Sequence, residues 1–217
     1  MVKPIEVSRR RALILGAGGV FVSGSLPGVV LATSEDDPAA IITSIANDAF
    51  KLFGPLNGVS NNWKSRRNWA KGVTKARFAT KVMGEKAGGV FLREFDPLKR
   101  RTFDVLIEEV VSEFILDIFS LYEPTTTFKV NRVRANRSKT AVLMDTTVVS
   151  RGDTYDVKWT VIEDGGSSKI SDVSIFGLNL VSDFRGAIEK SFRADGSAGV
   201  IAMLQDRIKR SKRKFPG

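Results

Sequence analysis

The 217-residue chain carries 34 lysines and arginines against 24 acidic residues, a net charge of +10, and contains neither histidine nor cysteine. Those two absences exclude disulfides, thiolate nucleophiles, imidazole bases and the usual zinc ligands, so stability has to come from packing. The positive charge favours an anionic partner: a lipid headgroup, an acidic protein or nucleic acid.

The first predicted element is a leader. Arg9-Arg10-Arg11 introduces a weakly apolar, Gly- and Ser-rich stretch with no charge between Arg11 and Glu35, which reads as an export signal over residues 1–32. The arginine pair points to the twin-arginine route, with Val30-Leu31-Ala32 as a small-residue cleavage site leaving Thr33 as the mature N-terminus. An ordinary secretory signal with a basic start is the alternative. Its glycines argue against a permanent membrane anchor, and export argues against nucleic acid as the partner. Cleavage removes Lys3, Arg9, Arg10 and Arg11 against Glu6, so the mature chain stays basic at +7. The roughly 185 residues that remain suit one domain with a substantial core rather than two.

Asp36-Asp37-Pro38 has the form of a helix start, and Ile41, Ile42, Ile45, Ala49 and Phe50 recur behind it at helical spacing to about Phe53. Gly54-Pro55 breaks that helix and Asn57-Gly58 marks a turn. From Ser60 to Glu85, Trp63, Trp69, Val73, Phe78 and Val82 predict one or two helices with basic exposed faces, ended by Gly84. The clearest helix comes after Asp96-Pro97: Phe103, Ile107, Val110, Val111, Phe114, Ile118 and Leu121 fall at three- and four-residue intervals until Pro124 closes it.

The period then becomes alternating. Phe128 and Val130, then Val142 to Val148, Tyr155 to Val161 and Ile170 to Ile175 predict strands joined by Asn136-Arg137-Ser138, Arg151-Gly152-Asp153 and Asp164-Gly165-Gly166-Ser167. Two helices complete the pattern, Leu180 to about Arg193 and Ala198 to about Arg210, separated by Asp195-Gly196, and residues 211–217 read as a basic tail that the core does not need. The expected class is α+β: an antiparallel meander sheet of about four to five strands flanked by N-terminal and C-terminal helices.

A catalytic constellation is hard to assemble, because a serine or threonine nucleophile would lack histidine and no nucleophile elbow is visible. Glu109 and Glu113 share a helix face as an acid–base or metal pair, or as a solvated face. Gly16-x-Gly18-Gly19 lies inside the export signal, where a phosphate cradle has no use. Trp63 and Trp69 among basic residues could stack nucleic-acid bases, but tryptophans at helical spacing belong more simply to a core.

The stretch Asp172-Val173-Ser174-Ile175-Phe176-Gly177-Leu178-Asn179-Leu180-Val181-Ser182-Asp183-Phe184-Arg185 joins a strand to a helix through one glycine, and that helix ends at Asp195-Gly196. It resembles the signature of the MlaC family, Asp-Val-x-Ile-Glu-Gly-Val-Ser-Leu-Val-x-Asn-Tyr-Arg. Phe78 to Gly84, Pro97 to Arg101 and Tyr122 resemble other family features in outline. Departures are Phe176 for Glu, Asn179 for Ser, Phe184 for Tyr, and Ser168 where a tryptophan is common, with Trp159 on the neighbouring strand as a compensation.

The resemblance implies a monomeric periplasmic phospholipid carrier, without cofactor, metal or catalysis. Such a carrier encloses an apolar pocket between sheet and helices and exchanges lipid with an inner-membrane ABC transporter complex and an outer-membrane lipid-transfer complex. On this basis Phe103, Ile107, Val111, Phe114 and Ile118, with Met144, Val148, Val157, Trp159, Leu180 and Phe184, are the expected lining. Arg185 is a headgroup or partner contact, or else a structural ion pair. Passage of lipid needs an opening motion, and glycine placement alone makes the turns at Gly177 and Gly196 the candidate hinges. A binding protein for a hopanoid-like lipid or a protein partner, or an enzyme using the same cavity, is the alternative.

Overall fold

The computed structural model of the protein describes residues 37–53, 62–123 and 125–216. The expected export signal and cleavage site, Gly54-Pro55, Asn57-Gly58 and the closing Pro124 lie outside the described residues. Helix α1 (Pro38–Phe53) starts where Asp37 Oδ1 accepts from the Ala39 amide at 3.1 Å, and it buries Ile41, Ile42, Ile45, Ala46, Ala49 and Phe53. Helix α2 (Trp63–Arg77) is capped by Asn62, whose Oδ1 accepts from the Ser65 amide at 3.1 Å. An extended Phe78 then pairs with Ile170 of the sheet, and α3 (Thr80–Gly88) and a 3₁₀ segment (Gly89–Glu94) come next.

Gly84 does not end this region. It lies inside α3, where a Cβ would stand 3.3 Å from the Phe103 ring and 3.5 Å from Ile107, so its missing side chain sets the close approach of α3 to the next helix. That helix, α4 (Pro97–Phe119), is capped by Asp96, which accepts from the Lys99 amide at 2.8 Å. It is buried on most of its circumference, and its backbone packs closely against α2, α3 and the last helix.

Five strands form one antiparallel meander in the order β1 (Thr127–Ala135), β2 (Val142–Ser150), β3 (Asp153–Asp164), β4 (Ser167–Ile175) and β5 (Leu178–Asn179). Strand β1 runs further than its apolar alternation suggests, because a bulge between Val130 and Arg132 resets the pairing and continues it to Ala135. Met144, Thr146 and Val148 of β2, Val157, Trp159 and Val161 of β3, and Ile170, Val173 and Ile175 of β4 share the inner face. Tight two-residue turns at Arg151-Gly152, Gly165-Gly166 and Phe176-Gly177 put both central residues at positive φ, the geometry that matches strand twist.

Helix α5 (Leu180–Lys214) is broken at Asp195-Gly196, where Gly196 has φ 58° and ψ −150°. Arg207 Nη1 lies 3.1 Å from Asp183 Oδ2, although on a straight helix those residues would be about 36 Å apart. The two arms therefore fold back on each other. The second arm does not stop at Arg210, and residues 211–216 are no free tail. Phe215 is buried with its ring 4.5 Å from that of Trp63, its carbonyl accepts from Arg67 Nη2 at 2.8 Å, and Ser211 donates to Glu113 at 2.7 Å. A run of five cations among six residues, Lys209 to Lys214, disguises an amphipathic last turn.

Candidate functional site

The carboxyl end of α4, the inner face of the sheet and the two arms of α5 do not close on one another completely. An open crevice of about 580 Å³ lies between Phe114, Ile118 and Leu121 of the α4 end, Ile175, Phe176 and Leu178 of the β4–β5 hairpin, and Leu180 of α5. Through Ile118, Leu121 and Ile175 it adjoins a narrow seam that runs under the sheet past Phe119, Tyr122, Val148, Tyr155, Val157 and Trp159. As the side chains stand, the seam measures about 30 Å³.

The polar groups of Trp159, Ser150 and Tyr155 along the seam have partners within the protein. Trp159 Nε1 donates to Thr146 Oγ1 at 2.9 Å, and Ser150 Oγ donates to the Leu121 carbonyl at 2.8 Å. Burial raises the Tyr122 phenol far above its ordinary range. Loss of water first, and then the hydrogen bond and charge of Asp153, raise the Tyr155 phenol as well. Both rings are therefore neutral at physiological pH, and no ionised side chain lines the seam.

Charge is confined to the mouth. Asp183 pairs with Arg207 at 3.1 Å, and Asp117 accepts from Lys214, which closes the second arm of α5 against α4. The Arg207 guanidinium also lies over the Phe184 ring, 4.8 Å from its centroid. The signature aspartate positions the hairpin. Asp172 accepts from Asn179 Nδ2 at 2.5 Å and from the Val181 amide at 3.3 Å, while Asn179 itself caps α5 through the Ser182 amide at 2.8 Å.

Of the residues expected from sequence to line a pocket, Phe114, Ile118 and Leu180 border the outer crevice, and Ile118, Val148, Val157 and Trp159 border the seam. Phe103, Ile107, Val111, Met144 and Phe184 are buried but line neither space. Phe103 packs on Phe95 and beside Gly84, while Met144 pairs with Trp159 across the sheet. Arg185 is not brought to the mouth and forms no ion pair among the described residues; its guanidinium donates to the Lys86 carbonyl at 2.6 and 3.2 Å, tying α5 to the end of α3. Glu109 and Glu113 are not a solvated pair. Glu113 is buried against Arg67 at 2.7 Å, and Glu109 meets Lys212 at 2.7 Å.

Sequence reasoning misses Ile175, Leu178, Leu121, Phe119, Tyr122 and Tyr155 as lining. Tyr155 and Leu121 continue the very periodicities that select Val157 and Ile118. The rim pairs carry no such signal, because Arg207 and Lys214 reach the mouth only through the fold-back at Gly196.

Among known proteins, a family model described as MlaC protein matches residues 57–206. No curated protein matches the chain. A solved structure of a phospholipid-binding protein from Ralstonia solanacearum, in complex with a phospholipid, is similar with a TM-score of 0.67 and 16% identity, over 81% of this chain and 98% of that one. At that identity the likeness speaks for the α+β fold. No helix among the described residues is long and apolar enough to cross a membrane.

Proposed function

The chain belongs to the MlaC family, lipid-binding transport proteins rather than enzymes, and on that premise we propose that it is a periplasmic phospholipid carrier. It takes acyl chains into the seam between α4 and the sheet and exchanges them with a transporter complex at the inner membrane and an acceptor complex at the outer membrane. The observation that carries this reading is the uncharged apolar seam reached from an open crevice of about 580 Å³.

Each methylene removed from water is worth about 0.8 kcal/mol, so two acyl chains need no polar contact along their length to be held. A seam of about 30 Å³ has to widen to take them. The sheet is continuous and tightly turned, whereas the second arm of α5 is joined to the first through the break at Asp195-Gly196 and is held by the buried Val200, Leu204, Ile208 and Phe215 together with exposed ion pairs. Movement of that arm and of the α4 end away from the hairpin opens the crevice, with Gly196 and Gly177 as hinges. Matching hydrogen-exchange protection of both turns in lipid-free and lipid-loaded protein would count against the hinges.

The test is transfer of radiolabelled phospholipid between donor and acceptor vesicles. Added protein is expected to accelerate transfer. Val157→Trp, which fills the seam, should slow it about tenfold, the equivalent of roughly 1.4 kcal/mol of overpacking. Transfer at the vesicle-only rate would defeat the carrier reading.

A further inference from the structure

The mouth of the crevice is charge-balanced, although the chain carries a net charge of +10. Two carboxylates, Asp117 and Asp183, and two cations, Arg207 and Lys214, border it together with Phe114, Ile118, Leu121, Ile175 and Leu180. Both ion pairs are substantially exposed: side-chain exposures are 36% and 52% for Arg207 and Asp183, and 59% and 51% for Lys214 and Asp117. Exposed pairs contribute little to stability, so their members change partners readily.

We propose that this quartet is a headgroup site for zwitterionic, amine-bearing phospholipids. The inference rests on the carrier reading above and adds what that reading leaves open, which lipid class is taken. With acyl chains directed into the seam, the phosphate lies at the mouth. Arg207 presents a planar donor fork suited to two phosphate oxygens, and Lys214 a point charge beside it. Drawing these cations onto a phosphate releases Asp117 and Asp183, and a headgroup ammonium takes the vacated place. The exchange replaces two one-to-one pairs by two groups of three, both cations on one phosphate and both carboxylates on one ammonium, and the summed charge at the mouth stays zero. An anionic headgroup with no amine lets the phosphate bind but leaves the carboxylates without a cation and next to a negative group.

The global field works the other way. A positive chain is attracted to anionic membranes, so steering brings the protein to such a surface while the mouth selects the zwitterion. Arg185, tied to the Lys86 carbonyl, takes no part.

The experiment loads delipidated protein from vesicles of equal phosphatidylethanolamine and phosphatidylglycerol and measures the bound ratio by mass spectrometry after solvent extraction. Wild type is expected to enrich the ethanolamine lipid about threefold, as two weak exposed pairs allow. The double variant Asp117→Asn, Asp183→Asn should lose the enrichment, read as a ratio on whatever lipid is bound. Lipid bound at the vesicle ratio by wild type, or equal enrichment in the double variant, would overturn the headgroup site and leave the carrier reading standing. Failure to bind either lipid would overturn both.

Discussion

At the scale of single residues, Glu113 is the one charged residue fully buried among the described residues. It is 4% exposed, accepts from Arg67 Nε at 2.7 Å and from Ser211 at 2.7 Å, and so joins α2, α4 and the end of α5. Glu113→Ala leaves the Arg67 guanidinium buried beside no carboxylate and is expected to cost about 3 kcal/mol in denaturant unfolding. A loss under about 1 kcal/mol would mean that water reaches the site. Phe176 presents the opposite case. Its φ of 56° suits glycine or asparagine, and the residue is 59% exposed, with an edge contact between its ring and that of Tyr155. Phe176→Gly is therefore expected to keep stability or raise it by up to about 1 kcal/mol, and a lower stability would assign the ring contact more weight than the backbone. At Asp96 the Lys99 amide and side chain hold the carboxyl below its ordinary range. Its contribution to the α4 cap is present above the ordinary aspartate range and is lost as pH falls through the lowered folded value. Asp96→Ala should flatten that acid limb of thermal stability.

Among the elements, the second arm of α5 changes most between sequence and structure. The kink at Asp195-Gly196 is legible, since glycine tolerates the φ of 58° found there. Gly196→Ala should cost about 1 kcal/mol and loosen the Arg207–Asp183 contact. The segment beyond Arg210 is not legible, because a run of lysine and arginine looks solvated while the groups that fix it, Glu109, Glu113, Asp117 and Trp63, lie far away in the chain. Truncation after Arg210 removes the buried Phe215 ring, worth about 2 kcal/mol, together with a hydrogen-bond partner of Glu113 and one of Arg67. The truncated protein should unfold at clearly lower denaturant, whereas a tail outside the core would leave the midpoint unchanged. The meander is readable for a different reason. Alternation on β2 and β3 marks one buried face, and glycine-bearing turns separate the strands. The same alternation cannot tell Met144, deep in the core, from Val148 on the seam, because both are simply inward-facing. Gly84 misleads since a glycine that ends a helix and one that admits a neighbouring helix look alike until the neighbour is in place.

For the whole molecule, the absence of histidine leaves no side chain with an ordinary pKa between about 5 and 8, so stability and lipid occupancy should be level across that window. The alkaline side differs. Both Tyr122 and Tyr155 are held above the ordinary phenol range, so the neutral rings contribute stability that is complete below that range and is lost as pH rises from it through the raised folded values. The fold arranges the sheet and the end of α4 around an uncharged seam, with the doubled-back α5 at the outer crevice, where the charged side chains stand. The most direct measurement is organic-solvent extraction of purified protein followed by mass spectrometry. Phospholipid at close to one molecule per chain is expected, and protein that is lipid-free on purification and takes up none from phospholipid vesicles would contradict the carrier role.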